Sequence, residues 1–303
     1  NQIKNDVTRS YPLAGDSFET DDLMSGLKVL LSGRLTMSHI TKKFEKEFAR
    51  YVGSKYALMV NSGSSANLLA FFGLINPKAK SKLNIGDECL IPSVCWSTSL
   101  WPIVQSGLKP KFVDVDVNTL NMNLRDLEKK ISKKTKAVLA VHVLGNSVDM
   151  KRLQKISKKY HLQIIEDTCE SLGSKFKNKS LGTFGRFGTF SFYISHQITS
   201  GEGGMIICND KQDYEILHSL RAHGWDRGLN KKNNKNFNLN VKGGLSILNQ
   251  KINFKDISLN ENYKASDEDL NYFKENFEKI LFNKSFVGIF DLDKIKEFIL
   301  EIS

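Results

Sequence analysis

The sequence alternates short apolar runs with helix-like segments from Asp21 to about Gly224, and this alternation is its most restrictive feature. Several of the runs are rich in Val and Ile, which is typical of strands buried on both faces of a mainly parallel sheet. The pattern therefore predicts an α/β fold with helices on both faces of that sheet. The runs are YALMV (56–60), ECLIPSV (88–94), KFVDVD (111–116), AVLAVHV (137–143), LQIIED (162–167), GTFSFY (188–193) and GMIIC (204–208).

Apolar residues recur at helical spacing in the segments that separate these runs. Two such segments precede the first run and end at Gly33 and Gly53, because glycine commonly follows the last turn of a helix. The later segments are predicted to be helices that connect successive strands. They are SSANLLAFFGLI (64–75), WSTSLWPIVQSG (96–107), NLRDLEKKIS (123–132) and DMKRLQKISKKY (149–160).

The composition changes after Arg227. The segment 229–244 is rich in Asn and Lys and has only scattered apolar residues, which predicts a linker or a disordered loop. Two further helices are predicted at 266–282 and 292–302. We therefore divide the chain into a large domain, residues 1–228, and an atypical linker with a short helical C-terminal region, residues 229–303.

The composition argues against several other classes of protein. The formal net charge is +11, but the lysines are spread among acids without a nucleic-acid motif. We therefore expect an anionic small substrate and no nucleic acid.

The four cysteines form no C-x-x-C pair, so no metal or iron–sulfur site is expected. No apolar run approaches the roughly 18 residues of a membrane span, and the polar start lacks the apolar centre of a signal peptide, so we expect a cytoplasmic protein.

The residues that follow the first predicted strand form a candidate anion site. Gly63 allows the backbone to approach a ligand closely, and Ser64 and Ser65 open the next predicted helix. Free amides at a helix N-terminus, together with hydroxyl groups, suit a phosphate. The alternative interpretation is a serine-capped helix after a glycine turn.

Later strand ends carry further candidates, because ligands bind at the carboxyl ends of strands in open parallel sheets. Trp96 could stack on a flat ring or belong to the core. Asp167 could hold a proton on a heteroaromatic nitrogen or cap the next segment. In SFYISHQITSGEGG (191–204), Ser191 could donate to a phosphate and His196 could act as a base, although an isolated histidine is often structural.

Taken in order, these motifs resemble those of the DegT/DnrJ/EryC1/StrS family, the sugar aminotransferases and dehydratases among the fold type I enzymes that use pyridoxal phosphate (PLP). The resemblance extends from about Tyr11 to Arg227 and implies the PLP-dependent transferase fold. The matching motifs are SGSSAN (62–67), Trp96, E-D-x-x-[QE] (166–170) and S-F-x-x-S-[KH]-x-x-x-x-G-E-G-G (191–204), supported by SGRLTMS (32–38), FEKEFARYVG (44–53), FVDVD (112–116) and VHVLGNSVDM (141–150).

The resemblance also implies a role for each matched residue. A carboxylate at the ring nitrogen would keep that nitrogen protonated, so that the ring can absorb electrons. The implied cofactor contacts are Gly63, Ser64, Ser65 and Ser191 at the phosphate, Trp96 on the pyridine ring, Asp167 at the ring nitrogen and Glu170 near the ring hydroxyl, where many relatives have Gln.

Position 196 separates two branches of the family. Its aminotransferases have a lysine there that binds the cofactor covalently, whereas an imidazole cannot form that bond. Histidine at 196, followed by GEGG and by HGWDR (223–227), resembles the 3-dehydratases of nucleotide-linked 4-keto-6-deoxyhexoses such as GDP-4-keto-6-deoxymannose. His223 and Arg227 match positions that contact the sugar or the diphosphate; the alternative is a helix C-terminus with Gly224 as its cap.

The resemblance implies that the amine form of the cofactor, pyridoxamine phosphate (PMP), takes part in the reaction. His196 would remove a proton from the cofactor, the hydroxyl at sugar carbon 3 would be expelled, and glutamate would restore the amine form. It further implies a homodimer that contributes a deoxysugar to surface polysaccharide biosynthesis.

One family segment, G-Y-N-x-[RK]-x-T-[DE], has no good match after Arg227. Its asparagine normally reaches across the dimer, and FNLNVKGG (237–244) is a poor substitute. We therefore expect an atypical or truncated C-terminal region. Two alternatives to the dehydratase follow: an aminotransferase with an unusual base, and a catalytically inactive relative.

Overall fold

A computed structural model describes residues 17–36 and 38–224 of the chain. The predictions for 229–303 and for Arg227 lie outside the described residues. The helices are α1 (Thr20–Leu31), α2 (His39–Val52), α3 (Gly63–Ile75), α4 (Ser97–Gln105), α5 (Leu124–Lys130), α6 (Met150–Tyr160) and α7 (Lys211–Arg221), with a short 3-10 turn at Val143–Gly145. The strands are β1 (Tyr56–Val60), β2 (Glu88–Pro92), β3 (Lys109–Val113), β4 (Thr135–Val141), β5 (Gln163–Asp167), β6 (Lys175–Phe176), β7 (Lys179–Ser180), β8 (Phe187–Ser191) and β9 (Gly204–Cys208).

The central sheet has seven strands in the order β1-β9-β8-β5-β4-β2-β3. Neighbouring strands from β8 to β3 run parallel, and β9 runs antiparallel to both β8 and β1. The prediction of a mainly parallel sheet is therefore confirmed. Because β1, β2, β4, β5 and β8 share one direction, their carboxyl ends meet at the same edge of the sheet.

Apolar side chains cover both faces of the sheet. Along β4, Ala137 and Leu139 join one buried cluster, whereas Val138 and Ala140 join another, because successive residues of a strand point to opposite faces. Helices α3, α4 and α7 supply the first cluster, and α5 and α6 supply the second. A third cluster packs α2 against β8 and β9. Helices thus lie on both faces, as the sequence predicts.

The predicted strand 111–116 extends three residues beyond the observed strand, although Val115 forms an isolated antiparallel bridge with Met122. β3 ends at Val113, and the chain then enters a turn. The Oδ1 atom of Asp116 accepts hydrogen bonds from the backbone N–H groups of Asn118 (2.9 Å) and Thr119 (3.2 Å). Such side-chain hydrogen bonds favour a turn over a strand.

The sequence indicated helix α7 only through its end, in the alternative interpretation of HGWDR as a helix C-terminus; its start and length were not predicted. Asp210 caps it, since its carboxylate accepts the backbone N–H groups of Gln212 and Asp213. Ile216 and Leu217 are buried, and Leu217 joins the same apolar cluster as α3. None of the described helices is long and apolar enough to cross a membrane.

An ion pair ties the start of β8 to α7. The Nε and Nη2 atoms of Arg186 donate to the two carboxylate oxygens of Asp213, at 2.9 and 2.6 Å, and both side chains are largely buried. We expect Asp213→Asn to lower the free energy of unfolding by about 3 kcal/mol, because it leaves the buried guanidinium charge uncompensated. Urea unfolding measures this change.

The matched control is Glu47→Gln, which removes the exposed partner of Lys43 at 3.9 Å. Exposed pairs of this kind contribute less than about 1 kcal/mol. Equal unfolding free energies for the two variants would contradict a structural role for the buried pair.

Candidate active site

Four of the predicted cofactor-binding residues lie at the carboxyl edge of the sheet. Asp167 and Ser191 are the last residues of β5 and β8, and Gly63 begins α3 just after β1. Trp96 immediately precedes α4, which follows β2. Parallel strands that end at one edge therefore bring together residues from distant parts of the sequence.

The turn that opens α3 forms a tight backbone cradle. The Oγ atom of Ser62 accepts the N–H of Ser65 at 3.1 Å and caps the helix. A Cβ atom added to Gly63 would lie 2.7 Å from Cβ of Ser191 and 2.6 Å from Sγ of Cys169. Only glycine allows this approach, so Gly63 and Ser191 lie side by side at the positive end of the helix dipole.

A second glycine contributes to the same cradle. A Cβ atom on Gly204 would lie 2.3 Å from the carbonyl carbon and oxygen of Ser62 and 2.7 Å from the backbone nitrogen of Gly63. The last glycine of the GEGG motif is therefore required by the close contact between β9 and the α3 turn. Ser64 extends the polar surface, since its Oγ donates to Oγ1 of Thr98 at 2.9 Å.

The carboxylate of Asp167 is buried, with 5% of the residue exposed, and is held by side chains from two helices. Its Oδ2 atom accepts hydrogen bonds from Nδ2 of Asn67 (2.8 Å) and Oγ of Ser99 (2.7 Å). Its Oδ1 atom accepts the backbone N–H of Cys169 at 3.2 Å. Hydrogen bonds to an ionised carboxylate are stronger than those between neutral groups, so these three donors hold the Asp167 side chain in one orientation.

Asn67 and Ser99 are functional candidates that the sequence analysis did not identify. Both are 1% exposed. Asn67 lies on the buried stripe of α3 with Ala70, Phe71 and Leu74. A polar side chain on such a stripe requires a buried partner, and this requirement was the available signal.

Trp96 is 72% exposed, so the interpretation that it belongs to the core is wrong. Thr98, two residues later, contacts Ser64 at the start of α3. The indole therefore belongs to the loop that joins β2 to α4, close to the cradle. A large aromatic surface open to solvent beside an anion site can stack on a flat ligand.

His196 lies on the loop between β8 and β9 and is partly exposed. Its backbone N–H donates to the carbonyl oxygen of Tyr193 at 3.0 Å, and the two rings meet edge to face with centroids 6.0 Å apart. The next residue, Gln197, donates from Nε2 to the carbonyl oxygen of Glu170 at 2.6 Å. The histidine loop is thus joined to the segment that follows Asp167.

Glu170 also holds the loop that follows β4. Its Oε2 atom accepts the backbone N–H of Leu144 at 3.1 Å. His196 and neighbouring residues line a cleft of about 850 Å³ between their loop and α1. The apolar walls of that cleft include Leu23, Leu27 and Ile198.

His142 and Glu166 form a second buried pair, next to Asp167 at the end of β5. Nδ1 of His142 accepts the backbone N–H of Val148, so the ring proton is on Nε2 and is donated to Glu166 at 3.2 Å. Glu166 also accepts three backbone N–H groups of the turn 182–185, at 2.6 to 2.8 Å. This fully satisfied carboxylate fixes the end of β5 and hence the position of Asp167.

Two thiols near Asp167 are held in the protonated form. Burial, together with the smaller effect of the Asp167 charge, raises the pKa of Cys95 to about 11. Burial and the same carboxylate raise the pKa of Cys169 well above its usual range. Neither side chain is therefore a thiolate at neutral pH, and neither is a candidate nucleophile.

His223 follows the end of α7, with a left-handed backbone, and precedes Gly224. The N–H of Gly224 donates to the carbonyl oxygen of Ser219 at 2.8 Å, which supports the helix-cap interpretation of this segment. Arg227 lies outside the described residues. The substrate roles of His223 and Arg227 stay predictions.

The model of the DegT/DnrJ/EryC1/StrS aminotransferase family matches residues 18–258. The chain belongs to the DegT/DnrJ/EryC1/StrS family. The fold that the sequence analysis expected, and the cradle described above, are thus those of a family member.

Several characterised members of the DegT/DnrJ/EryC1/StrS family are similar to this chain. GDP-4-keto-6-deoxy-D-mannose 3-dehydratase of Escherichia coli O55:H7 is 45% identical over 224 residues, 74% of this chain and 58% of that protein. A solved E. coli enzyme of this name, with bound hydrated PLP, superposes with a TM-score of 0.70 over 73% of this chain and 57% of that one. GDP-perosamine synthase of Escherichia coli O157:H7 is 40% identical over 183 residues, 60% of this chain and 48% of that protein.

The chain spans somewhat more than half the length of the dehydratases that it matches. Other solved structures of the dehydratase contain PLP trapped with glutamate or, in a histidine-to-asparagine variant, GDP-perosamine. These ligands were observed in those proteins. They indicate which compounds should be tested for binding to this chain.

Proposed function

We propose that the site at the carboxyl edge of the sheet binds PLP and its amine form, PMP. The residues fit this cofactor in three respects: a cradle of backbone amides at the start of α3, an exposed indole at Trp96, and a buried carboxylate at Asp167. Gly63, Ser64, Ser65 and Ser191 would hold the phosphate. Glu170 would stand near the ring hydroxyl. When bound, the protonated ring supplies a sink for the electrons released on breaking a neighbouring C–H bond.

We expect Gly204→Ala to weaken PLP binding by about tenfold or more. The added Cβ, 2.3 Å from the Ser62 carbonyl, must displace the turn that holds the phosphate. Overpacking of this kind costs about 1–3 kcal/mol, and about 1.4 kcal/mol corresponds to tenfold in affinity. Titration with PLP, followed by absorbance, measures the effect.

The control for this prediction is Gly26→Ala in α1. No atom lies within 4 Å of a Cβ added there, and the backbone is helical. Its PLP affinity is expected to equal that of the wild-type chain. Unchanged affinity in Gly204→Ala as well would contradict the assignment of the phosphate to this turn.

We infer that the reaction is a 3-dehydration of a nucleotide-linked 4-keto-6-deoxyhexose. The observation that carries this inference is His196, which stands where the aminotransferases of the family have their lysine. Its imidazole can accept a proton from the bound cofactor and return one to the departing hydroxyl of the sugar. It cannot anchor the cofactor covalently, so loss of the hydroxyl is favoured over transfer of an amine to the sugar.

The similar dehydratases suggest the substrate and the co-substrate. We propose GDP-4-keto-6-deoxymannose as the sugar and glutamate as the amine donor, in a deoxysugar pathway for surface polysaccharide such as the lipopolysaccharide O-antigen. The exposed side chain of His223, together with Arg227, would contact the sugar or its diphosphate. Nucleotide sugars and glutamate are cytoplasmic metabolites, which supports a cytoplasmic location for the reaction.

The direct test incubates the purified full chain with PLP, glutamate and GDP-4-keto-6-deoxymannose. Mass spectrometry of the sugar and assays of ammonia and 2-oxoglutarate follow the reaction. Loss of one oxygen from the sugar with release of ammonia supports the dehydratase. Bound PLP without turnover of this sugar would instead favour an inactive relative or a different nucleotide sugar.

An aminotransferase is the second candidate, and the similarity to GDP-perosamine synthase favours it. In that case His196 would act as an unusual base, and an amino group would replace the keto oxygen of the sugar. The same mass measurement separates the two candidates: both products have one oxygen fewer than the substrate, but only the aminated sugar gains a nitrogen, and only the dehydration releases ammonia.

We also propose that the chain forms a homodimer. Helix α1 has no buried residue, and its apolar side chains are exposed to an extent that is unusual for an isolated protein surface. Light scattering of the full chain tests the proposal. The exposed apolar residues of this helix are Leu23 (61%), Met24 (45%), Leu27 (44%), Leu30 (62%) and Leu31 (71%).

A further inference from the structure

The buried side chains around Asp167 form a continuous hydrogen-bonded chain. Oγ1 of Thr189 donates to Oδ1 of Asn67 at 2.6 Å, and Nδ2 of Asn67 donates to Oδ2 of Asp167 at 2.8 Å. Ser99 donates to the same Oδ2 atom at 2.7 Å. Thr189, Asn67 and Ser99 come from β8, α3 and α4, so three separate elements fix one carboxylate.

The orientation of the Asn67 amide follows from its two partners. Asp167 in its ionised form can only accept, so the NH₂ group of Asn67 must face it. The carbonyl oxygen of the amide then accepts the hydrogen bond from the hydroxyl group of Thr189. Thr189 lies directly opposite Asp167 in the pairing of β5 with β8, so the sheet register places these two residues, and α3 adds Asn67.

The two oxygens of Asp167 are used unequally. Oδ2 accepts two side-chain hydrogen bonds, whereas Oδ1 accepts one longer bond, from the backbone N–H of Cys169 at 3.2 Å. A carboxylate oxygen has two lone pairs, and Oδ2 is therefore saturated by its own protein partners. The thiol of Cys169, a weak donor, also interacts with this carboxylate. Oδ1 is therefore the oxygen that a strong, charged donor can still engage.

We propose that Asn67 and Ser99 are positioning residues that hold Asp167 so that Oδ1 pairs with the protonated pyridine nitrogen of the cofactor. The proposal rests on the proposed function, because it requires PLP to bind at this site. An aliphatic side chain would satisfy packing at position 67, where the neighbouring residues Ala70 and Phe71 are fully buried. The buried amide is explained by the carboxylate that it orients.

The test uses full-length variants loaded with ¹⁵N-labelled PLP. The nitrogen chemical shift reports protonation of the ring as a function of pH, independently of turnover. We expect Ser99→Ala and Asn67→Leu each to lower the pKa of the bound ring nitrogen by about one unit, because a carboxylate with fewer donors is less well oriented toward the ring and stabilises its protonated form less. The double variant is expected to shift it further.

Ser106→Ala is the matched control. Ser106 is also buried in the same part of the chain, at the end of α4, but its hydroxyl donates to the carbonyl oxygen of Ile103 at 2.9 Å. Its removal is expected to leave the ring nitrogen unchanged. A general loosening of α4 would instead move the control as much as Ser99→Ala, and that result would overturn the positioning role.

The outcomes separate the two proposals. A wild-type chain that fails to bind PLP overturns the proposed function together with this inference. If the ring nitrogen is protonated in the wild-type chain and titrates identically in the variants, the inference alone is overturned. A downward shift confined to the Ser99 and Asn67 variants supports both.

Discussion

Replacement of His196 by asparagine is expected to lower the rate of oxygen loss from the sugar by about 10²–10⁴-fold, the usual contribution of a positioned acid–base group. Asparagine is similar in size to histidine but cannot accept and return a proton near neutral pH. PLP binding is expected to change little, because the cradle, Trp96 and Asp167 are untouched. The backbone hydrogen bond from residue 196 to Tyr193 is also retained.

The measurements are the mass change of the sugar over time and a PLP titration of the same preparation. His161→Asn is the matched control. His161 is exposed and ends α6 with a left-handed backbone, which asparagine adopts readily. Full activity in His196→Asn would remove this residue as the base, and a loss of PLP binding would show that its role is structural instead.

The sequence predicted the sheet well because each strand carries its own local signal. Each of the seven predicted runs, from YALMV to GMIIC, overlaps a strand of the central sheet. The errors fall where local and tertiary effects compete. Asp116 turns the chain at the end of β3 through its own side chain, and α7 depends on burial of Ile216 and Leu217 against other elements.

The candidate site was predictable to the extent that each residue belongs to a contiguous motif. Gly63, Asp167 and Ser191 each end or begin an element, and the parallel sheet alone is sufficient to bring them together. Asn67 and Ser99 escaped prediction because their partner, Asp167, is 100 and 68 residues away along the chain. Only the fold shows that these polar residues are buried against the same carboxylate.

The exposure of Trp96 illustrates a different limit. Tryptophan is large and apolar, so a position at a strand end is as compatible with burial as with ligand stacking. How far the end of β2 extends beyond the helices that cover the sheet cannot be predicted from the sequence. The 72% exposure of this residue results from that geometry.

Replacement of Asp167 by asparagine is expected to weaken PLP binding by roughly ten- to a hundredfold and to stop turnover. A hydrogen bond to a charged group contributes about 1.5–3 kcal/mol, which corresponds to that range in affinity. The structure adds a reason. Asn67 and Ser99 both donate to the Oδ2 position, so an amide at 167 must place its oxygen there and its NH₂ group at the Oδ1 position.

An NH₂ group at that position would face the N–H of Cys169, which is also a donor. It would likewise face the protonated ring nitrogen, which needs an acceptor there. Absorbance titration with PLP and the sugar assay measure the two effects. Asp149→Asn is the matched control, because Asp149 caps α6 by accepting the N–H of Arg152 at 3.0 Å and asparagine caps equally well. An Asp167→Asn chain that binds PLP and turns over like this control would break the assignment of Asp167 to the ring nitrogen. It would also leave the buried amide of Asn67 without the function that we propose for it.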